Sequence, residues 1–262
     1  MTRRKLLIVT DSRGKGLQTY LQAHIPSHQV VIQAYVLPGA KLETITEHIH
    51  KKFDTSYDLI IASGGICNLT NRATDQGNKV LSYTSVEENI VQLKDKFTSL
   101  AGAYQGKIII TTIPPASLTQ YFRHFNPNQE PPKFLEEQQN VLLQDIREIN
   151  ETITTLNKAA DLPNLDLHSK CFSSVLDPKK KGKRNPDRRR KIFLERDLTD
   201  GVHPNSNLHS KWAQRYSQVI NLWLANITNS DSETSASANE EPWDYKRLQQ
   251  RASAEQPSTS QQ

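Results

Sequence analysis

The stretch LLIVTDSRGKGL, Leu6 to Leu17, stands almost at the start of the chain. An apolar run ends in an acid, a hydroxyl, a cation and two glycines, which is how a buried strand leaves a sheet and turns towards a helix. Two chemistries fit such a turn: a loop that cradles phosphate, or a turn that presents Ser12 as a nucleophile. A Walker loop needs GxxxxGK[ST], and TDSRGKGL has neither the spacing nor a hydroxyl after the lysine. A dinucleotide fingerprint needs GxGxxG; Gly14 and Gly16 supply GxG, but Thr19 occupies the third position. The second apolar run ends in VLPGA and not in an acid for a ribose. A bland reading also stands, in which Ser12 only caps the first helix.

Working outward, apolar runs recur at Lys5–Thr10, Gln29–Val36, Asp58–Gly64, Lys107–Pro114 and, more weakly, Leu162–His168. Several are continuous and not alternating, as in strands covered on both faces. Between them lie helical stripes: Leu42, Ile45, Ile49 and Phe53; then Val86, Ile90, Leu93, Phe97 and Leu100, with Ser85 as the expected cap; then a long amphipathic stretch from Pro132. A last helix follows Asn205. Strands alternating with helices predict a three-layer, flavodoxin-like α/β fold with a five-stranded parallel sheet. Ligands of such sheets bind beyond the carboxyl ends of the strands, where Ser12 lies. NRATDQGNKVLSYT and ASLTQYFRHFNPNQEPP are read as loops.

Hydrophobic residues make up 35% of the 262, low for a wholly globular chain. Residues 1–228 are read as one domain and 229–262, polar with little to bury, as a disordered tail. The formal net charge is +5, yet Lys179–Lys191 (KKKGKRNPDRRRK) holds nine of the 33 basic residues and one of the 28 acids. The rest of the chain is therefore mildly acidic, which excludes a domain whose whole surface tracks nucleic acid. The basic block is read as a solvated insert, with nuclear localisation, nucleic-acid phosphates or attraction of an anionic substrate as its open uses. Arg13 and Lys15 raise the same substrate question.

No run is long enough to span a bilayer and no cleavable signal opens the chain, so an intracellular protein, cytoplasmic or nuclear and without membrane contact, is expected. Cys67 and Cys171 match no zinc or CxxC spacing and read as reduced thiols. There is no HExxH, and His48 and His50 fall on different helix faces, so no metal site is expected.

A nucleophile turn needs a base and an orienting acid. DLTDGVHPNSNLHSKWA provides Asp200 and His203, three apart, just before the last helix. A turn at Gly201 can fold the carboxylate back onto the imidazole and fix its tautomer. Taken alone, Asp200-Gly201 is also an ordinary turn pair.

With these residues in view the chain resembles the SGNH (GDSL-type) hydrolase superfamily. Its sequence blocks are matched in order by Thr10-Asp11-Ser12, by Gly39 in LPGAKL, by GGICNLT and by Asp200 with His203. The resemblance implies Ser12 as nucleophile, His203 as general base and then acid, and Asp200 as its orienting residue, cleaving a small ester without a cofactor. It further implies an oxyanion hole from the N–H groups of Ser12 and Gly39 and an asparagine of the third block. In Gly65-Ile66-Cys67-Asn68 the alignment puts Cys67 at that asparagine's place, so the third donor is either Asn68, one position later, or missing. The alternative is a catalytically silent SGNH-like module for interaction or nucleic-acid binding through Lys179–Lys191, of a kind also found in some non-LTR retroelements. The sequence does not read out an oligomeric state.

Overall fold

The computed structural model describes residues 3–54, 56–84, 87–176 and 189–237. Among these, the residues up to Trp223 form one compact unit and those from Leu224 a second. The first holds a parallel sheet of four strands: β1 (Arg4–Asp11), β2 (Val30–Leu37), β3 (Leu59–Ser63) and β6 (Ile108–Ile110). Their order is β2-β1-β3-β6. The connection after β1 leads to one side of it, and the next returns to the other, so the chain reverses direction across the sheet at the carboxyl end of β1. That end is the crevice in which doubly wound sheets bind ligands.

The strands are apolar throughout because both faces are covered. Alternate side chains of β1 divide between them: Leu7 and Val9 join the large core with α2 (Leu42–Lys52), α4 (Glu87–Ala103) and α6 (Lys133–Ala159). Leu6 and Ile8, fully buried as well, point to the opposite face. There α1 (Leu17–His24) packs against β2, and Trp212 and Tyr216 of α7 (Ser206–Ser237) line a small cavity with Thr10 and Leu17. The helical stripes lie inside as their spacing requires: Leu42, Ile45 and Ile49 on α2; Ile90, Leu93, Phe97 and Leu100 on α4. Ser85 and Val86 lie outside the described residues.

The expected fifth strand does not form. In Leu162–His168 the side chains of Leu165 and Leu167 are buried, and Leu165 O accepts from Thr112 N (3.1 Å), but no ladder follows. Side chains have taken the groups a fifth strand would use. Asn157 of α6 donates to Ile110 O (2.7 Å) and accepts from Ile110 N (3.0 Å). Asn150 does the same for Ile113, and Gln139 for Ala116 O and Leu118 N. Thr112 Oγ1 accepts from both Leu167 N and His168 N. A sheet edge must be covered in some way; here one helix covers it with three amides at two- and three-turn spacing.

Two antiparallel hairpins stand where no strands are expected. β4 (Thr70–Asp75) and β5 (Asn78–Tyr83) turn through Gln76 and Gly77, both at positive φ, a type I′ geometry in which glutamine is an uncommon first residue. β7 (Phe172–Leu176) pairs with β8 (Arg189–Phe193), so the basic block joins the two arms of a hairpin, with Arg189, Arg190 and Lys191 on β8. Its residues 179–188 lie outside the described residues. ASLTQYFRHFNPNQEPP contains a helix, α5 (Leu118–Phe125). α7 continues to Ser237, past the boundary drawn from composition at 228, and residues 238–262 of the expected tail lie outside the described residues. Both cysteines are free, and among the described residues no helix is long and apolar enough to cross a membrane.

Candidate active site

β1 ends at Asp11, and Ser12–Gly14 make one 3₁₀ turn. Asp11 caps it, its carboxylate accepting from Arg13 N (2.9 Å). The tightness of the turn requires Gly14, since a Cβ there would lie 2.1 Å from the Thr10 methyl. α1 starts only at Leu17, after Gly16 at φ +83, without a side-chain cap. The hydroxyl of Ser12 is therefore not spent on capping. It lies 2.9 Å from Nε2 of His203, 191 residues away.

The imidazole is held by a loop that folds on itself before α7. One oxygen of Asp200 accepts from the backbone N–H of Val202 (3.0 Å) and His203 (2.8 Å); the other lies 2.8 Å from His203 Nδ1. One oxygen of Asp200 makes the turn, and the second meets the imidazole. With a carboxylate at Nδ1 the ring proton sits there, and Nε2 is left to accept from Ser12. Burial pushes the Asp200 carboxyl up, but the imidazole N–H, the two backbone N–H groups and the nearby ring outweigh it and hold it well below the usual carboxylate range. Asp200 stays ionised and acts only as an acceptor.

The loop is seated on α5. Gly201, at φ +81, accepts from Ser117 N (2.7 Å), and Thr199 N donates to His203 O (2.7 Å). Tyr121 lies directly beneath: a Cβ on Gly201 would fall 2.4 Å from both Ser117 O and Tyr121 N. These packing partners carry no motif and are invisible in the sequence.

Sheet register places the flanking loops. Asp11 pairs with Leu37 and Thr10 with Ser63, so Ser12 emerges between Pro38-Gly39 on one side and Gly64-Gly65 on the other. Pro38 and Gly39 occupy the centre of a turn closed by Ala40 N to Leu37 O (3.1 Å), with Gly39 at φ +70. The N–H of Gly39 meets no acceptor among the described residues. Asn68 is not at the serine. Its Oδ1 accepts from Leu42 N (2.8 Å) and its Nδ2 donates to Glu43 (2.9 Å), so it caps α2 instead. Lys96 pairs with Glu43 behind it, and the carboxyl of Glu43 falls to about 2: burial opposes ionisation, but the bonds from Lys96, its own backbone and Asn68 prevail. Cys67, one position before Asn68, is half-buried and packs against the core of the sheet. Burial pushes its thiol up, as does Asp11, against the pull of Arg13, Arg72 and Lys41.

Arg13 is buried, with its Nε and Nη2 meeting no hydrogen-bond partner among the described residues. It is 6% exposed and its Nη1 donates to Pro114 O (2.7 Å), while Lys15 is exposed. His48 packs edge-on to Tyr35 and His50 Nδ1 meets the Tyr104 hydroxyl (2.6 Å), so the two share no ligand. Among the described residues no three His, Cys, Asp or Glu side chains gather as a metal-ligand set.

Comparison with solved structures gives the same architecture. Axe2, an acetylxylan esterase from Geobacillus stearothermophilus, matches at 14% identity and a TM-score of 0.51, over 83% of this chain and 94% of that one. A structure assigned to a GDSL-like lipase of Parabacteroides merdae matches at 12% identity and a TM-score of 0.52, over 84% and 97%. At such identities the likeness is one of fold. No curated protein sequence matches. The family of GDSL-like lipases and acylhydrolases matches residues 10–216, from the last residues of β1 into α7, and to that family the chain belongs.

Proposed function

We propose that this family member is a serine hydrolase that cleaves a small ester through a Ser12 acyl-enzyme. The observation that carries the reading is the unbroken hydrogen-bonded chain from Ser12 through His203 to Asp200, at the carboxyl end of β1. His203 takes the serine proton at Nε2 as Oγ attacks the ester carbonyl. The positive ring that results is stabilised by ionised Asp200. The carbonyl oxygen becomes an oxyanion, turned towards the N–H groups of Ser12 and Gly39. Collapse breaks the bond to the alcohol, which leaves with the proton from His203. Water then repeats the sequence on the acyl-enzyme and releases the acid. No cofactor enters any step. Cys67 is a poor donor beside an amide, so oxyanion stabilisation rests on the two backbone groups, which predicts slow turnover for this machinery.

The test is hydrolysis of 4-nitrophenyl acetate by the wild type, Ser12→Ala and His203→Ala, together with labelling by a fluorophosphonate and peptide mapping of the modified residue. Each variant is expected to lose at least about 10³-fold in kcat, with the label on Ser12. Turnover that survives Ser12→Ala sinks the assignment. A folded wild type that neither turns over nor labels favours the silent interaction module.

A further inference from the structure

We propose that Arg72, on β4, is a specificity residue that binds a negatively charged group, carboxylate or phosphate, carried by the ester substrate. This deepens the serine-hydrolase reading and rests on it. The loop of Asp200 and His203 is seated through Gly201 on Ser117 and Tyr121 of α5. The Arg72 guanidinium lies over the Tyr121 ring, its Cζ 5.9 Å from the centroid. From the other side, β4 follows α3 (Ile66–Leu69) without a break, and α3 carries Cys67. Arg72 therefore stands between α5, which seats the loop of His203, and the chain that leaves α3. Its field reaches both: it opposes the rise that burial imposes on the Cys67 thiol and on the Tyr121 phenol.

The charges around this point are unequally committed. Asp200 is bonded to His203, Asp11 accepts from Arg13 N, and Glu43 is paired with Lys96 and Asn68. Arg72 is exposed and, among the described residues, makes no hydrogen bond or ion pair; the ring contact leaves its N–H groups free. Lys41, also exposed and two residues after Gly39, is likewise unpaired among the described residues. A planar guanidinium with free donors matches a carboxylate or phosphate in two parallel bonds, which a lysine does not reproduce. A neutral acyl ester leaves this group unused. Binding at an open rim acts on kcat/KM and weakens with salt.

The experiment compares esters matched except for charge. 4-Nitrophenyl butyrate is set against mono-4-nitrophenyl succinate for a carboxylate on the acyl side. 2-Acetoxyethanol is set against 2-acetoxyethyl phosphate for a phosphate on the alcohol side. The wild type is expected to favour the anionic member of at least one pair by about tenfold in kcat/KM at low salt, and less at 0.5 M salt, roughly beyond screening range. Arg72→Gln should remove about fivefold or more from the anionic ester and leave the neutral one within about twofold, and Arg72→Lys should restore part of the loss. Which pair responds tells carboxylate from phosphate. Equal use of both members of each pair, or a preference that persists in Arg72→Gln, overturns the proposal while leaving the hydrolase intact. Failure of every ester to exceed the Ser12→Ala background removes both.

Discussion

Gly201→Ala tests the link between packing and chemistry. The added Cβ would lie 2.4 Å from Ser117 O and from Tyr121 N, about 1 Å inside ordinary contact, and both are backbone atoms that cannot rotate away. The φ of +81 adds roughly 1–2 kcal/mol for an L residue. Lifting the loop off α5 breaks the bond from Ser117 N to Gly201 O, worth about 1 kcal/mol. The sum is a loss of about 2–4 kcal/mol in unfolding free energy, measured by urea titration. The same displacement carries Asp200 and His203 away from Ser12. A misplacement of about 1 Å typically costs 10²-fold, so kcat for 4-nitrophenyl acetate should fall by about that factor, with KM less affected. Gly39→Ala is the stability control: its Cβ meets nothing within 4 Å, so only the strain of φ +70 remains. If Gly201→Ala keeps kcat within about threefold and loses less than about 1 kcal/mol, the loop is not held in the way described here.

Three further outcomes follow from single groups. Cys67→Asn restores an amide where the family resemblance implies the oxyanion asparagine and is expected to raise kcat about tenfold, below the 10²–10³ that a pre-organised oxyanion donor supplies; unchanged or lower turnover in the ester assay counts against that placement. Asn157→Leu leaves Ile110 N–H and C=O unpaired in a buried edge, and the urea midpoint should report a loss of about 2–5 kcal/mol; a loss below 1 kcal/mol would show that the amide does not stand in for a strand. His168, lowered by burial from 6.5 to about 4 against the pull of Asp166, binds its proton more weakly folded than unfolded. Between those two values the unfolded chain holds more protons, so this contribution is present above pH 6.5 and is lost as pH falls to 4, by about 3 kcal/mol. His168→Gln should flatten unfolding free energy against pH in that window, and an unaltered slope refutes the assignment.

The silent-module alternative makes its own use of the basic residues. Arg189, Arg190 and Lys191 lie on β8 of a hairpin, and phosphate binding there would fall steeply with salt. A filter-binding titration without retention at low salt removes that use of the hairpin, whatever the outcome of the esterase assay.

The sequence by itself determined the layers and the pairing of Asp200 with His203. Continuous apolar runs such as LLIV and LIIA match strands buried on both faces, and the helical stripes between them match parallel crossovers. Asp200 and His203 were legible because their contact is local: three residues and a glycine turn bring carboxylate and imidazole together. What lay beyond it was non-local. Whether Ser12 caps a helix or meets His203 depends on β1 and the start of α7 ending at the same edge of the sheet, which no window of residues encodes. That the Asn68 amide is bound elsewhere was decided by Leu42 N, which captures it from 26 residues away. The fifth strand failed for the same reason: its apolar pattern is genuine, but Asn157 and Thr112 took the backbone groups it would have paired with, and that competition exists only once α6 has docked. Periodicity specifies which face a residue shows; the partners of polar atoms are set by the packed whole.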